Sequence, residues 1–161
     1  MNQLTMDQLR RIFSGECANW SEMGGPNSPI TVTARAVPQT GAGVEFQKTV
    51  LKGGPYATGH LVMALYRDTV TVCSKGMAIG YLPTTSHFFK YLQRQGVKPI
   101  AVSLDANSPA IVPSSGLVTH TDYPINIPVY LYINSAGGKE CVSEFPDFCL
   151  RAVAGLKRAH Q

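Results

Sequence analysis

Apolar positions recur at two periods in this chain, and the change between them marks where helices give way to strands. In residues 4–15, Leu9, Ile12 and Phe13 share one helical face. Thr5 stands ahead of that stripe as an N-cap, with Gln8 three residues on to complete a capping box. Leu4 is placed to staple onto Leu9, and Gly15 supplies the C-terminal stop. In ITVTAR the period shortens to two, so Ile30, Val32 and Ala34 form a short buried strand. Between these elements, residues 16–29 are rich in Gly, Pro, Asn and Ser and read as a connection, with Trp20 packing back as an anchor.

Beyond residue 51, Gly53-Gly54-Pro55 breaks the chain. Residues 60–74 place Leu61, Leu65 and Val72 near helical spacing, while the β-branched run from Thr69 to Val72 leaves the second half open between helix and strand. MAIGYL, residues 77–82, is a short apolar run suited to a buried strand. A helix is expected from about Thr84 through Phe88, Phe89 and Leu92 to Gly96, followed by a strand over residues 97–102. Residues 104–120 read as an irregular excursion holding one short helix. VYLYI, residues 129–133, has the highest β-propensity in the chain, and a last helix is expected over residues 142–156 with Pro146 in its first turn. Helices alternating with short apolar strands predict an α/β fold, a three-layer sandwich with a mostly parallel sheet.

Chemistry enters at residues 30–51. The strand ends at Arg35, a loop carries Pro38, and Thr40-Gly41-Ala42-Gly43 opens a helix. The first N–H groups of a helix have no partner inside it and carry the positive end of its dipole, which favours an anion. Arg35 is placed to add a bidentate clamp. The plainer alternative makes Thr40 an ordinary N-cap and Arg35 a solvated or ion-paired residue. Tyr81 and Thr84 follow the MAIGYL strand, where strand ends line clefts in open α/β sheets, and are secondary pocket candidates; core packing is the alternative for the tyrosine. His60 is either a ligand contact or simply solvated.

Size and composition narrow the classes. The 161 residues suit one domain, and 44% hydrophobic with 15% charged residues argue for a folded globular chain. The net charge of +4 is spread out, without the basic stripe of a nucleic-acid binder. No run approaches the length of a membrane span, and no export signal is visible at Met1. Cys17, Cys73, Cys141 and Cys149 lack metal or redox spacing and read as buried free thiols. A bond between Cys141 and Cys149 needs a bend at Pro146, since an unbroken helix would hold them about 12 Å apart. Asn19-Trp20-Ser21 matches a glycosylation acceptor, a three-residue pattern that chance often produces. No spacing links a nucleophile to a base, so neither an enzyme nor a cofactor or metal is expected.

Five blocks in order, LTMDQLRRIFSGECANWSEMGG, ITVTAR, TGAGVEF, GMAIGYLP and YPINIPVYLYIN, resemble the phosphate-binding proteins of bacterial phosphate ABC transporters. Those belong to the type 2 periplasmic-binding-protein superfamily. The resemblance runs from about Leu4 to Leu156. It implies one lobe of a two-lobed α/β protein whose ligand sits in the cleft between lobes. Its Arg…Ser-Gly-Thr motif falls on Arg35, Thr40 and Gly41, with Ala42 where the family has Thr and Gln39 as a replacement donor or acceptor.

From that resemblance follows the expectation that residues 1–161 form a single lobe, lacking the family's N-terminal lobe and the strand that crosses between lobes. The leading function is binding of phosphate or a similar oxyanion by Arg35, Gln39, Thr40, Gly41, Ala42, Gly43, Tyr81 and Thr84. The alternative is an interaction or sensory module that kept the fold without the ligand. Expected partners are the anion, an ABC transporter membrane subunit or a missing second lobe, and a second copy in a strand-exchanged or edge-paired homodimer. The resemblance also implies an extracytoplasmic location.

Overall fold

The computed structural model describes residues 2–82, 91–113 and 123–125. The chain divides into two compact units, Met1–Ile127 and Pro128–Gln161. The expected strand at residues 129–133 and helix at 142–156, with Cys141 and Cys149, lie outside the described residues, as does the start of the helix expected from Thr84.

The first unit is built from β1 (Gln3–Thr5), α1 (Met6–Ser14), a 3-10 turn (Trp20–Met23), β2 (Thr31–Arg35), α2 (Gly41–Thr49), β3 (Leu61–Met63), α3 (Tyr66–Ser74), β4 (Ala78–Ile79) and β5 (Ala101–Ser103). Among the described residues the named strands pair in parallel: β3-β2-β4 form one sheet and β1-β5 another. Parallel neighbours need a crossover between them; α2 lies between β2 and β3 in sequence, and α3 between β3 and β4. The result is the expected mixed α/β class with parallel strands.

α1 follows its local signals. Thr5 Oγ1 accepts the Gln8 N–H at 3.1 Å, and Gln8 Oε1 accepts the Thr5 N–H at 2.9 Å. Gly15 closes the helix at φ +84°, where a Cβ would also meet the Ala57 Cβ at 3.0 Å. Leu4, Leu9, Ile12 and Phe13 are buried, joining Cys17, Val32, Phe46, Val50, Ile79 and Val102 in one core. Burying each large side chain of this kind stabilises the fold by roughly 1.5–3 kcal/mol. Trp20 anchors its connection as expected: it is buried, and its indole Nε1–H donates to Met77 O at 3.2 Å. Asn19 caps the turn, accepting from Ser21 and Ser28 and donating to Asn27, so its side chain is part of the loop's own framework.

Three local expectations are corrected. Gln3–Thr5, read from sequence only as the approach to a helix, pairs with Ala101–Ser103 as a strand. In residues 60–74 the first part, read as helical, holds a strand, and the second part, left open between helix and strand, is a helix. Leu61–Met63 finds β2 as a partner, and Asp68 Oδ2 accepts the Leu65 N–H at 3.0 Å to start α3. The β-branched run stays helical because Thr69 and Val70 are buried, tertiary packing outweighing propensity. The strand expected at 97–102 is confined to Ala101–Ser103; Val97 N–H still bonds Leu92 O and closes a helical turn. Of the excursion expected over residues 104–120, only 104–113 lie within the described residues; they hold no helix, and Asp105 Oδ1 gathers the N–H groups of Asn107 and Ser108.

Candidate functional site

Parallel pairing sends the C-terminal ends of β2, β3 and β4 to one edge of the sheet, the edge where open α/β sheets take ligands. Arg35 is the last residue of β2, and in the register it lies opposite Met63, the last of β3. Its guanidinium is held by two neighbours. Nη1–H donates to Met63 O at 2.8 Å, and the group lies 4.5 Å from the centre of the Tyr66 ring at the start of α3. Nε is buried and has no hydrogen-bond partner among the described residues. An orphaned buried donor on a half-buried cation is costly, and an anion would relieve it.

After Arg35 the chain folds tightly into α2. Ala36 O accepts both the Thr40 N–H at 3.1 Å and the Thr40 hydroxyl at 2.9 Å. Thr40 Oγ1 in turn caps α2 by accepting the Gly43 N–H at 3.2 Å. Gly43 is required here, because a Cβ would meet Thr40 Oγ1 at 2.8 Å and Ala36 O at 3.0 Å. The Gly41 and Ala42 N–H groups make no hydrogen bond to a described residue. With no acidic residue in the first turn, this helix start is an open positive pole. Gln39 is exposed beside it.

Tyr81 lies two residues past β4, and its hydroxyl accepts the Arg35 backbone N–H at 3.0 Å. Its ring stacks on Phe46 of α2 with centroids 3.8 Å apart. The structure therefore joins Tyr81 to both the Arg35 backbone and α2, through contacts within the protein. Thr84 lies outside the described residues. His60 sits by Tyr56 with Nδ1 2.8 Å from Ala57 O, in local structure rather than at this edge.

Three contributors escaped the sequence pattern: the Met63 carbonyl, the Tyr66 ring and Tyr56. The Tyr56 hydroxyl lies 3.0 Å from that of Tyr81 and donates to Gly43 O at 3.3 Å. Burial, and then the bond to Tyr81, push the Tyr56 phenol well above its ordinary range. The flanking GGPYATGH carries no periodic signal that would have singled it out.

Elsewhere, a cavity of about 260 Å³ opens beside the C-terminus of α1, lined by residues that include Ile12, Cys17, Val32 and Ala57. It shares no residue with the Arg35 edge. Cys17 and Cys73 are free thiols whose burial raises their pKa, so neither is an activated nucleophile. Among the described residues no three His, Cys, Asp or Glu side chains are grouped to hold a metal ion, and no helix is long and apolar enough to cross a membrane.

Comparison with known proteins places this geometry in context. A family model described as a PBP superfamily domain matches residues 1–152. The phosphate-binding protein PstS of Bacillus subtilis (strain 168) is 30% identical over 125 residues, covering 78% of this chain and 38% of that protein. The crystal structure of PstS from Borrelia burgdorferi superposes with a TM-score of 0.66 at 20% identity, over 78% of this chain and 49% of that one. An ABC-type phosphate transport receptor from Vibrio cholerae gives a TM-score of 0.58 at 20% identity, over 99% of this chain and 63% of that one. This chain thus spans between 38% and 63% of the length of these relatives.

Proposed function

The chain belongs to the PBP superfamily domain family, and from that premise we propose that it binds phosphate or a similar small oxyanion where β2 ends and α2 begins. The observation that carries this reading is the buried Arg35 Nε, a charged donor without a partner among the described residues. The guanidinium is already oriented by Met63 O and Tyr66, and the Gly41 and Ala42 N–H groups supply neutral donors at a helix start. Gln39, Thr40 and Gly43 complete the turn. Such an arrangement binds by charge-assisted hydrogen bonds with little reorganisation, and it offers no nucleophile or general base. The role is binding for ABC-type phosphate uptake outside the cytoplasm, with the anion, a transporter membrane subunit and a second lobe as partners.

Isothermal titration with phosphate, using sulfate as a control, tests this reading. Saturable binding is expected, and Arg35→Ala is expected to weaken it by roughly tenfold or more, as loss of a charged hydrogen-bonding group implies. Equal heats for Arg35→Ala and the native chain would remove the proposal.

One observation favours a second reading, an interaction module paired through a sheet edge. Among the described residues β3 is the outer strand of a three-stranded sheet, and Leu61 and Val62 on it are 40% and 56% exposed. An apolar edge without a charged guard residue recruits another strand, here that of a second copy. Light scattering on the eluted native protein tests it, and a clean monomer at all concentrations rejects it.

A further inference from the structure

The loop that delivers α2 is closed from two sides. On one side lies the turn in which Ala36 O accepts both Thr40 donors. On the other runs a chain of hydroxyls: Arg35 N–H to Tyr81 Oη at 3.0 Å, Tyr81 Oη to Tyr56 Oη at 3.0 Å, and Tyr56 Oη to Gly43 O at 3.3 Å. A single order of protons satisfies all three contacts. The one Tyr56 proton goes to Gly43 O, so Tyr81 donates to Tyr56 and accepts from Arg35. Every hydroxyl proton then has an acceptor, and the chain links the last residue of β2 to the third residue of α2. The rings are set independently of this chain, since Phe46 stacks with Tyr81 at 3.8 Å and with Tyr56 at 6.4 Å, both nearly parallel.

We propose that the Tyr56–Tyr81 hydroxyl pair positions the oxyanion site, holding the Arg35 backbone and the first turn of α2 at a fixed separation without touching the anion. This rests on the oxyanion reading above. The physical reason is preorganisation. If the chain is cut, the residue 36–42 loop gains freedom that binding must remove again, and the Gly41 and Ala42 donors no longer stand ready. Aligned hydroxyls also polarise one another, so a break at either link weakens the rest. Like any phenol, Tyr56 carries its proton throughout the neutral range, and burial raises its pKa further.

The test uses the full chain and the variants Tyr56→Phe, Tyr81→Phe, the double variant and Arg35→Ala. Each is titrated with inorganic phosphate at a temperature where circular dichroism shows it folded, and each is also melted without ligand. Phenylalanine keeps both ring stacks. Each single variant is expected to bind phosphate about threefold to tenfold more weakly, in line with one lost hydrogen bond. The double variant is expected to be no weaker than the weaker single one, because either cut opens the same chain. Unchanged affinity with a lowered melting temperature would assign the tyrosines a merely structural role and overturn the proposal, as would losses that multiply in the double variant. Should one variant fail to fold, the other decides alone. Phosphate binding lost in Arg35→Ala but kept in the Phe variants would overturn this proposal and leave the site reading standing; a native chain silent toward phosphate would remove both.

Discussion

The first turns of α1 and α2 each follow a parallel strand and are each capped by a threonine, Thr5 and Thr40, yet one is chemically closed and the other open. At α1, Thr5 and Gln8 exchange two hydrogen bonds, and Asp7 adds a negative charge against the positive pole. At α2 the position three residues after the cap is Gly43, which has no side chain to return. It is a glycine because Ala36 O and the Thr40 hydroxyl pack where a Cβ would stand. The tightness of the loop onto the helix thus excludes the residue that would complete a capping box. The contrast teaches that a helix start becomes a place for an outside anion when local packing prevents it from capping itself.

The largest change expected from breaking this contrast is Gly43→Ala. The new Cβ must displace Thr40 Oγ1 or Ala36 O, a strain of about 1–3 kcal/mol. Chemical denaturation should show that loss, and phosphate titration a weaker site. Next is Gly41→Glu, which makes α2 resemble α1. A Cβ there meets nothing within 4 Å, so the side chain fits. Its carboxylate should weaken phosphate binding about tenfold by like-charge repulsion at close range, while raising the melting temperature. Gly41→Gln should share part of the stabilisation but retain binding, and titration of both variants separates charge from backbone effects. The smallest is Thr5→Ala, expected to cost about 1 kcal/mol of stability. It should leave phosphate affinity untouched, as paired melts and titrations would show.

The same contrast explains what was legible in the sequence. Thr5, Gln8, Leu9 and Gly15 act on neighbours within a turn or two, so spacing alone revealed them. Arg35 and Thr40 through Gly43 were likewise visible as a strand–loop–helix pattern. What was not visible depends on partners distant in the chain. Leu61–Met63 becomes a strand only because β2 stands beside it, and Gln3–Thr5 only because Ala101–Ser103 does. Tyr56 and Tyr81 are 25 residues apart, and nothing in either neighbourhood signals that their hydroxyls meet. Tyr81 was noticed for its place after a strand, but its contacts with Phe46 and the Arg35 backbone belong to tertiary packing.

Trp20 also has a practical consequence. It is the chain's one tryptophan, it is buried, and its indole N–H is bound to Met77 O just ahead of β4. The molecule therefore contains a single indole fluorophore, at the seam between the connection after α1 and the sheet. Selective indole excitation reads that seam without a label. Its red shift during unfolding times the release of β4 from the connection, against which the loosening of any other element can be clocked.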